Sequence, residues 1–183
     1  DMSIIGAVFG AVGTAGQRCT STRRLIIHRS VYESFKQKLA NAYQQLKIGD
    51  PLDTANHVGP LIDTDAVANY LKAIAACQEQ GGRMLVSGGV VSGTGFESGC
   101  YVKPCIVEVT ADMPIVQTET FAPILYIMPY DTIEEAIAFQ NNVPQGLSSA
   151  IMTLHLREAE LFLSAAGSDC GIANVNIGTS GAE

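Results

Sequence analysis

Nine consecutive residues concentrate the chemistry available to this 183-residue chain: Gly13-Thr14-Ala15-Gly16-Gln17-Arg18-Cys19-Thr20-Ser21. Glycines allow a tight backbone turn, and a turn can aim several N–H groups at one point. A cysteine attacks as its thiolate, which such N–H groups or a neighbouring cation favour; Arg18 is the cation beside Cys19. The same local residues equally fit a small buried thiol, the usual state of a free cysteine. A second cluster, Glu119-Thr120-Phe121-Ala122-Pro123, sets a carboxylate and an aromatic ring two residues apart. In an extended segment that spacing puts both on one face. Taken alone, the pair also fits a solvated glutamate and a core phenylalanine ahead of a strand.

The two strings in this order resemble the nucleophile loop and the Glu-x-Phe-(Gly/Ala)-Pro cofactor motif of the aldehyde dehydrogenase superfamily. The resemblance is greatest to the antiquitin branch, which oxidises α-aminoadipic semialdehyde in lysine catabolism. Gly59-Pro60-Leu61-Ile62, Gly146-Leu147-Ser148-Ser149 and Asn174-Val175-Asn176-Ile177 extend it over nearly the whole length. It implies an oxidoreductase using NAD, with NADP as the alternative, in which Cys19 is the catalytic nucleophile. Glu119 would bind the ribose hydroxyls next to the nicotinamide and Phe121 would pack near its ring. Arg18, Gly181 and Ala182 would grip the aminoadipate end of the substrate, although Gly178 stands where proline is common in that loop. The resemblance further implies a cytoplasmic homo-oligomer, dimer or tetramer.

Aldehyde oxidation needs a covalent detour, because the carbonyl carbon has no electron pair to release toward an acceptor. Adding a thiolate gives a thiohemiacetal that can expel hydride and leave a thioester for water to cleave. The oxyanion formed on the way needs preorganised donors, and in the family one of them is the nucleophile's own backbone N–H. Arg18 can make a charge-assisted contact to a substrate carboxylate or form an ordinary structural ion pair. Two rival functions keep the same fold: an acylating enzyme that passes the acyl group from Cys19 to coenzyme A, and a non-catalytic assembly module.

The bulk composition bounds the partners. Eighteen acidic against eleven basic side chains give a formal charge of −7, and the longest basic cluster is Arg23-Arg24, which argues against nucleic acid or an anionic membrane surface. A 47% apolar and 16% charged chain of this length can bury a full core. Five irregularly spaced cysteines argue against a disulfide framework and for a reducing compartment. No CxxC occurs, and His28, His57 and His155 are remote in sequence from any cysteine pair, so no metal site is expected. The uncharged run 2–17 is short and glycine-rich for a membrane span, and suits a buried helix leading into the cysteine loop.

The elements that must position these residues follow from periodicity. Leu25-Ile26-Ile27-His28 reads as a buried strand ending on His28, a histidine either solvated or poised as a base for Cys19. Val31, Phe35, Leu39, Ala42 and Leu46 predict an amphipathic helix over 31–47 whose lysines and glutamines face water. Asp63 caps a second helix carrying Val67, Leu71 and Ile74. Strands are expected at Met84–Val86, across Tyr101–Val109 with a break at Pro104, and at Ile124–Met128, Ser148–Met152 and Cys170–Ile177. Thr132-Ile133-Glu134-Glu135 is a capping box for a helix through Phe139, and another helix is expected over 157–166. The alternation implies an α/β domain, and the resemblance specifies a three-layer α/β/α catalytic domain with a largely parallel sheet. Residues 1–183 are expected to form that nucleophile-bearing domain. They are read as a fragment of a longer chain, inactive without the dinucleotide-binding domain and oligomer-forming tail that the family places on either side.

Overall fold

In the computed structural model, which describes residues 2–180, the chain runs α1 (Met2–Val12), β1 (Arg24–His28), α2 (Arg29–Tyr43), α3 (Thr64–Glu79), β2 (Arg83–Val86), β3 (Gly89–Val90), β4 (Val102–Lys103), β5 (Cys105–Glu108), β6 (Ile124–Tyr130), α4 (Ile133–Asn141), β7 (Ser148–Ile151), α5 (Leu156–Leu163) and β8 (Ile172–Val175). One sheet has the order β1-β6-β5-β2. In it β6 is parallel to both β1 and β5, and β2 is antiparallel at one edge. A second parallel pair joins β7 to β8, and β3 with β4 forms a short antiparallel ladder on either side of residues 91–101.

Strand β6 is buried from Ile124 through Met128 without alternation, so helices must cover the sheet on both faces. Helix α2 packs on β1, β2 and β6, and α4 packs on β1 and β6, giving the expected layered arrangement. Leu39, Leu61, Tyr70, Ile106, Leu125, Ile127 and Met128 are fully enclosed, each contributing roughly 1.5–3 kcal/mol of burial. The caps form as the sequence implies: Asp63 accepts the Ala66 N–H at 2.8 Å and Thr132 accepts that of Glu135 at 3.3 Å. Glu135 reaches back to the Asp131 N–H at 2.7 Å, one residue beyond the usual partner.

Helix α2 corrects the expectation. It begins at Arg29, capped by His28, and its buried residues are Tyr32, Lys36, Leu39, Ala40 and Tyr43, while Val31 is 48% exposed. Two tyrosines supply more apolar surface than Val31 does, so the helix is rotated to bury them. Lys36, expected in water, goes in with them. Its ammonium meets Glu108 on β5 and Glu33, each at 2.8 Å. Tyr32 donates to Glu108 at 3.1 Å, and Arg83 on β2 pairs with the same carboxylate. Helix α5 and strand β8 are shorter than expected, and His155 precedes α5 without a side-chain capping bond.

Burial opposes ionisation of Glu108, but hydrogen bonds from Lys36, Tyr32 and Arg83 outweigh it and hold the carboxyl below its ordinary 4.5. A carboxyl depressed in the folded state contributes stability that is fully present above its unfolded pKa and is lost as pH falls through its folded one. The urea midpoint of the protein should therefore decline as pH is lowered from 4.5 toward that folded value. Glu108→Gln should flatten the decline, and an unchanged slope would remove the cluster from the acid response.

Candidate active site

The cysteine loop leaves α1 through a tight 3₁₀ turn, Gly13–Gly16, in which Thr14, Ala15 and Gly16 have φ of 53°, 52° and 70°. Left-handed backbone costs a non-glycine residue about 1–2 kcal/mol, so Thr14 and Ala15 stay there only because their surroundings hold them. Ala15 is buried, the Gln17 N–H donates to the Thr14 carbonyl at 3.0 Å, and Arg18 Nε donates to Thr14 Oγ1 at 2.9 Å. Gly16 lies so close to the second cluster that a Cβ there would stand 2.6 Å from the backbone of Ala122. The two sequence strings are therefore in backbone contact.

Three further ties converge on the loop. The Gln17 amide donates to the Pro60 carbonyl at 3.2 Å and accepts the Ile62 N–H at 2.9 Å, binding in the Gly59-Pro60-Leu61-Ile62 segment. Arg18 and Ser21 close a turn: the Ser21 N–H reaches the Arg18 carbonyl and the Arg18 N–H reaches Ser21 Oγ, both at 3.1 Å. Beyond the turn, the Thr20 carbonyl accepts from Thr179 Oγ1 at 2.8 Å and from Ser180 Oγ at 2.9 Å, while Thr22 and Thr179 share a hydrogen bond of 2.8 Å. Gly10 makes room for Thr22, whose Oγ1 would lie 2.3 Å from a Cβ at that position.

Cys19 thus sits second in a pinned four-residue turn, with its side chain exposed. It lines a cavity of about 390 Å³ that Glu119 also lines. Phe121, 45% exposed, does not border that cavity; with Glu119, Asn69 and Lys72 it borders a second one of about 460 Å³. The 119–123 segment is bent rather than extended, since Ala122 N bonds to Thr120 O and Ile124 N to Ala122 O, each at 2.8 Å. Glu119 and Phe121 share the second cavity through this bend and not through strand alternation. Glu119 makes no hydrogen bond among the described residues and is common to both cavities.

Arg18 lies over the Phe9 ring at 5.0 Å and is paired with no carboxylate among the described residues. Gly181 and Ala182 lie outside the described residues. His28 lines the first cavity, but its Nδ1 accepts the Ser30 N–H at 3.2 Å and meets Ser30 Oγ at 2.7 Å, and it has no hydrogen bond to Cys19. No group of three or more metal-ligating side chains is placed to hold a metal among the described residues. None of the described helices is long and apolar enough to cross a membrane.

Sequence reasoning missed Gln17 and Arg23. Arg23 Nη1 donates to the Ala122 carbonyl at 3.1 Å and Nη2 to the Arg18 carbonyl at 3.3 Å, with the guanidinium 5.1 Å from the Phe121 ring centre. Burial lowers its pKa and the charge of Glu119 opposes that. A usable signal was present: two adjacent arginines at the head of a strand have to satisfy many donors. Arg24 does so on the Phe139 and Gln140 carbonyls at 2.7 and 3.1 Å.

The five cysteines divide by environment. Burial pushes the Cys105 thiol up to about 12 and also raises Cys77. Cys100 and Cys170 are half-buried, and among the described cysteines Cys19 alone is exposed. Iodoacetamide at neutral pH should label Cys19 at least about tenfold faster than Cys77 or Cys105, read by mass spectrometry of peptides. Equal rates at the three thiols would contradict the geometry.

Comparison with known proteins places these features. The Aldehyde dehydrogenase family matches residues 1–183. The chain is similar to aldehyde dehydrogenase family 7 member A1 of Pisum sativum, 47% identical over 182 residues, covering all of this chain and 35% of the pea protein. It is likewise similar to alpha-aminoadipic semialdehyde dehydrogenase of Rattus norvegicus, 45% identical over 186 residues, covering all of this chain and 34% of the rat protein. Among solved structures, PnpE in complex with nicotinamide adenine dinucleotide superposes with a TM-score of 0.91 at 28% identity, over 96% of this chain and 36% of that one. The chain therefore spans about a third of the length of the curated relatives it matches.

Proposed function

The chain belongs to the aldehyde dehydrogenase family, and we propose that it is the thiol-bearing part of an NAD(P)-dependent enzyme oxidising α-aminoadipic semialdehyde to the carboxylate. The observation that carries this reading is Cys19, exposed as the second residue of a pinned turn and sharing a cavity with Glu119. Support for the substrate comes from similarity to the rat enzyme named for it. Support for the cofactor comes from the similar PnpE structure holding nicotinamide adenine dinucleotide.

The residues present fit such a cofactor. Phe121, 45% exposed, offers apolar ring surface beside Arg23. Glu119, a carboxylate with no hydrogen-bond partner among the described residues, offers acceptors for a ribose diol. Glu119 and Phe121 would hold the nicotinamide riboside. The chemistry a nicotinamide supplies when bound is acceptance of a hydride. Cys19 itself forms the S–C bond to the aldehyde carbon, and its backbone N–H donates to the oxygen on which negative charge develops. Held as thioester, the acyl group stays on Cys19 until water cleaves it. Arg18, unpaired with any carboxylate among the described residues, is the cation for the substrate's carboxylate, with Gly181 and Ala182 as its backbone partners. Residues 1–183 would act as one nucleophile-bearing domain within a full-length parent. That parent would be a homo-oligomer working in the cytoplasm, where five free cysteines stay reduced.

In the full-length parent, Cys19→Ala should lower α-aminoadipic semialdehyde oxidation by at least about a thousandfold, followed by nicotinamide absorbance; near-normal turnover would remove its role as nucleophile. Arg18→Met should raise KM for the semialdehyde about tenfold or more, the loss of one charge-assisted hydrogen bond. KM for hexanal, an uncharged aldehyde of similar length, should stay within about twofold, since it never made that bond. Parallel changes for both aldehydes would take Arg18 out of substrate recognition.

A further inference from the structure

Arg23 stands between the two halves of the site. One arm of its guanidinium donates to the Ala122 carbonyl at 3.1 Å, beside the Phe121 ring that the same group covers at 5.1 Å. The other donates to the Arg18 carbonyl at 3.3 Å, which also accepts the Ser21 N–H at 3.1 Å. That carbonyl belongs to the peptide unit whose N–H is that of Cys19. In a planar trans peptide the C=O and N–H point in opposite directions, so anchoring the oxygen aims the hydrogen. A hydrogen bond accepted by a carbonyl also polarises its peptide and makes the N–H on the far side a better donor.

We propose that Arg23 is a positioning residue: by anchoring the Arg18 carbonyl it aims and polarises the Cys19 N–H toward the oxyanion, and by its second arm it keeps that peptide in register with the Phe121–Ala122 strip. The inference rests on Cys19 being the nucleophile. Arginine suits the task because its rigid planar fork spans two carbonyls, whereas a lysine ammonium is a single point of charge. No side chain of Arg23 need touch substrate for this to operate.

Two cofactor-independent reactions of Cys19 in the full-length parent separate this role from simple support of the fold. With p-nitrophenyl acetate, the thiolate adds to the ester carbonyl. The resulting oxyanion collapses, p-nitrophenolate leaves with the electron pair of the broken C–O bond, and an acetyl thioester remains for water to cleave. With iodoacetamide, the thiolate displaces iodide at a methylene carbon and no oxyanion forms. Arg23→Met should slow the p-nitrophenolate burst by about tenfold or more, because the oxyanion donor is misaimed, while alkylation stays within about twofold, since no oxyanion forms there. Arg23→Lys, which keeps a cation near Glu119 and Phe121 without the fork, should show the same split; it decides the matter alone if the methionine variant fails to fold. Two rates that fall together, or two that do not change, overturn the proposal. The underlying assignment fails separately, if the wild-type parent gives no burst or if Cys19→Ala retains one.

Discussion

Everything at this site hangs on one close approach, the backbone of Gly16 against the backbone of Ala122 and Pro123, where even a methyl group would stand 2.6 Å from its neighbour. A side chain at position 16 would push the loops apart and would also have to adopt a φ of 70°. With the gap closed, the segment carrying Cys19 and the segment carrying Glu119 form one wall. Strand β6 begins immediately after Pro123 and is buried along Ile124–Met128, so the second segment is anchored in the middle of the sheet. The first segment therefore inherits its position from the core, although the thiol it carries faces outward.

The strain of the turn belongs to the same arrangement. Thr14 and Ala15 occupy left-handed backbone at a cost of about 1–2 kcal/mol each, which two intramolecular hydrogen bonds of ordinary worth, about 1 kcal/mol each, and the burial of Ala15 offset. A relaxed loop would return those residues to the ordinary region and draw Gly16 away from Ala122. Backbone strain at a reactive group is stable only where its surroundings over-determine it. Here the surroundings are Gln17 on Pro60 and Ile62, and Arg18 on Thr14.

Local sequence gave away those features whose causes are local. Asp63 and Thr132 are cap residues of the right type at the right place, and the apolar run Ile124–Met128 can only be a buried strand or a buried helix, with the flanking Pro123 and Pro129 deciding for the strand. The face of α2 was not legible, because its periodicity supports two rotations. The choice between them depends on Glu108, seventy-two residues beyond Lys36 and on another strand. At the site, the resemblance rests on glycines and a cysteine whose types are informative alone. The partners of Gln17 and Arg23 lie 43 to 99 residues away for the longer ties, beyond anything spacing can show. The bend at 119–123 was hidden for a related reason: alternation in sequence implies an extended strand, whereas two consecutive three-residue hydrogen bonds produce the shared exposure differently.

The ties also explain which side chains are left to act. Gly16 is fixed to Ala122, Gln17 to Pro60 and Ile62, Thr20 to Thr179 and Ser180, and Ser21 back onto Arg18. Three remote parts of the chain thus hold the residues on both flanks, and between them Cys19 directs its side chain away from the scaffold's own polar network. A thiol in that setting cannot lower its energy by retreating inward, as Cys77 and Cys105 do, without breaking bonds on both sides. The Thr20 tie does a second thing: it joins the cysteine turn to Thr179 and Ser180. A shift of either segment must therefore be felt by the other.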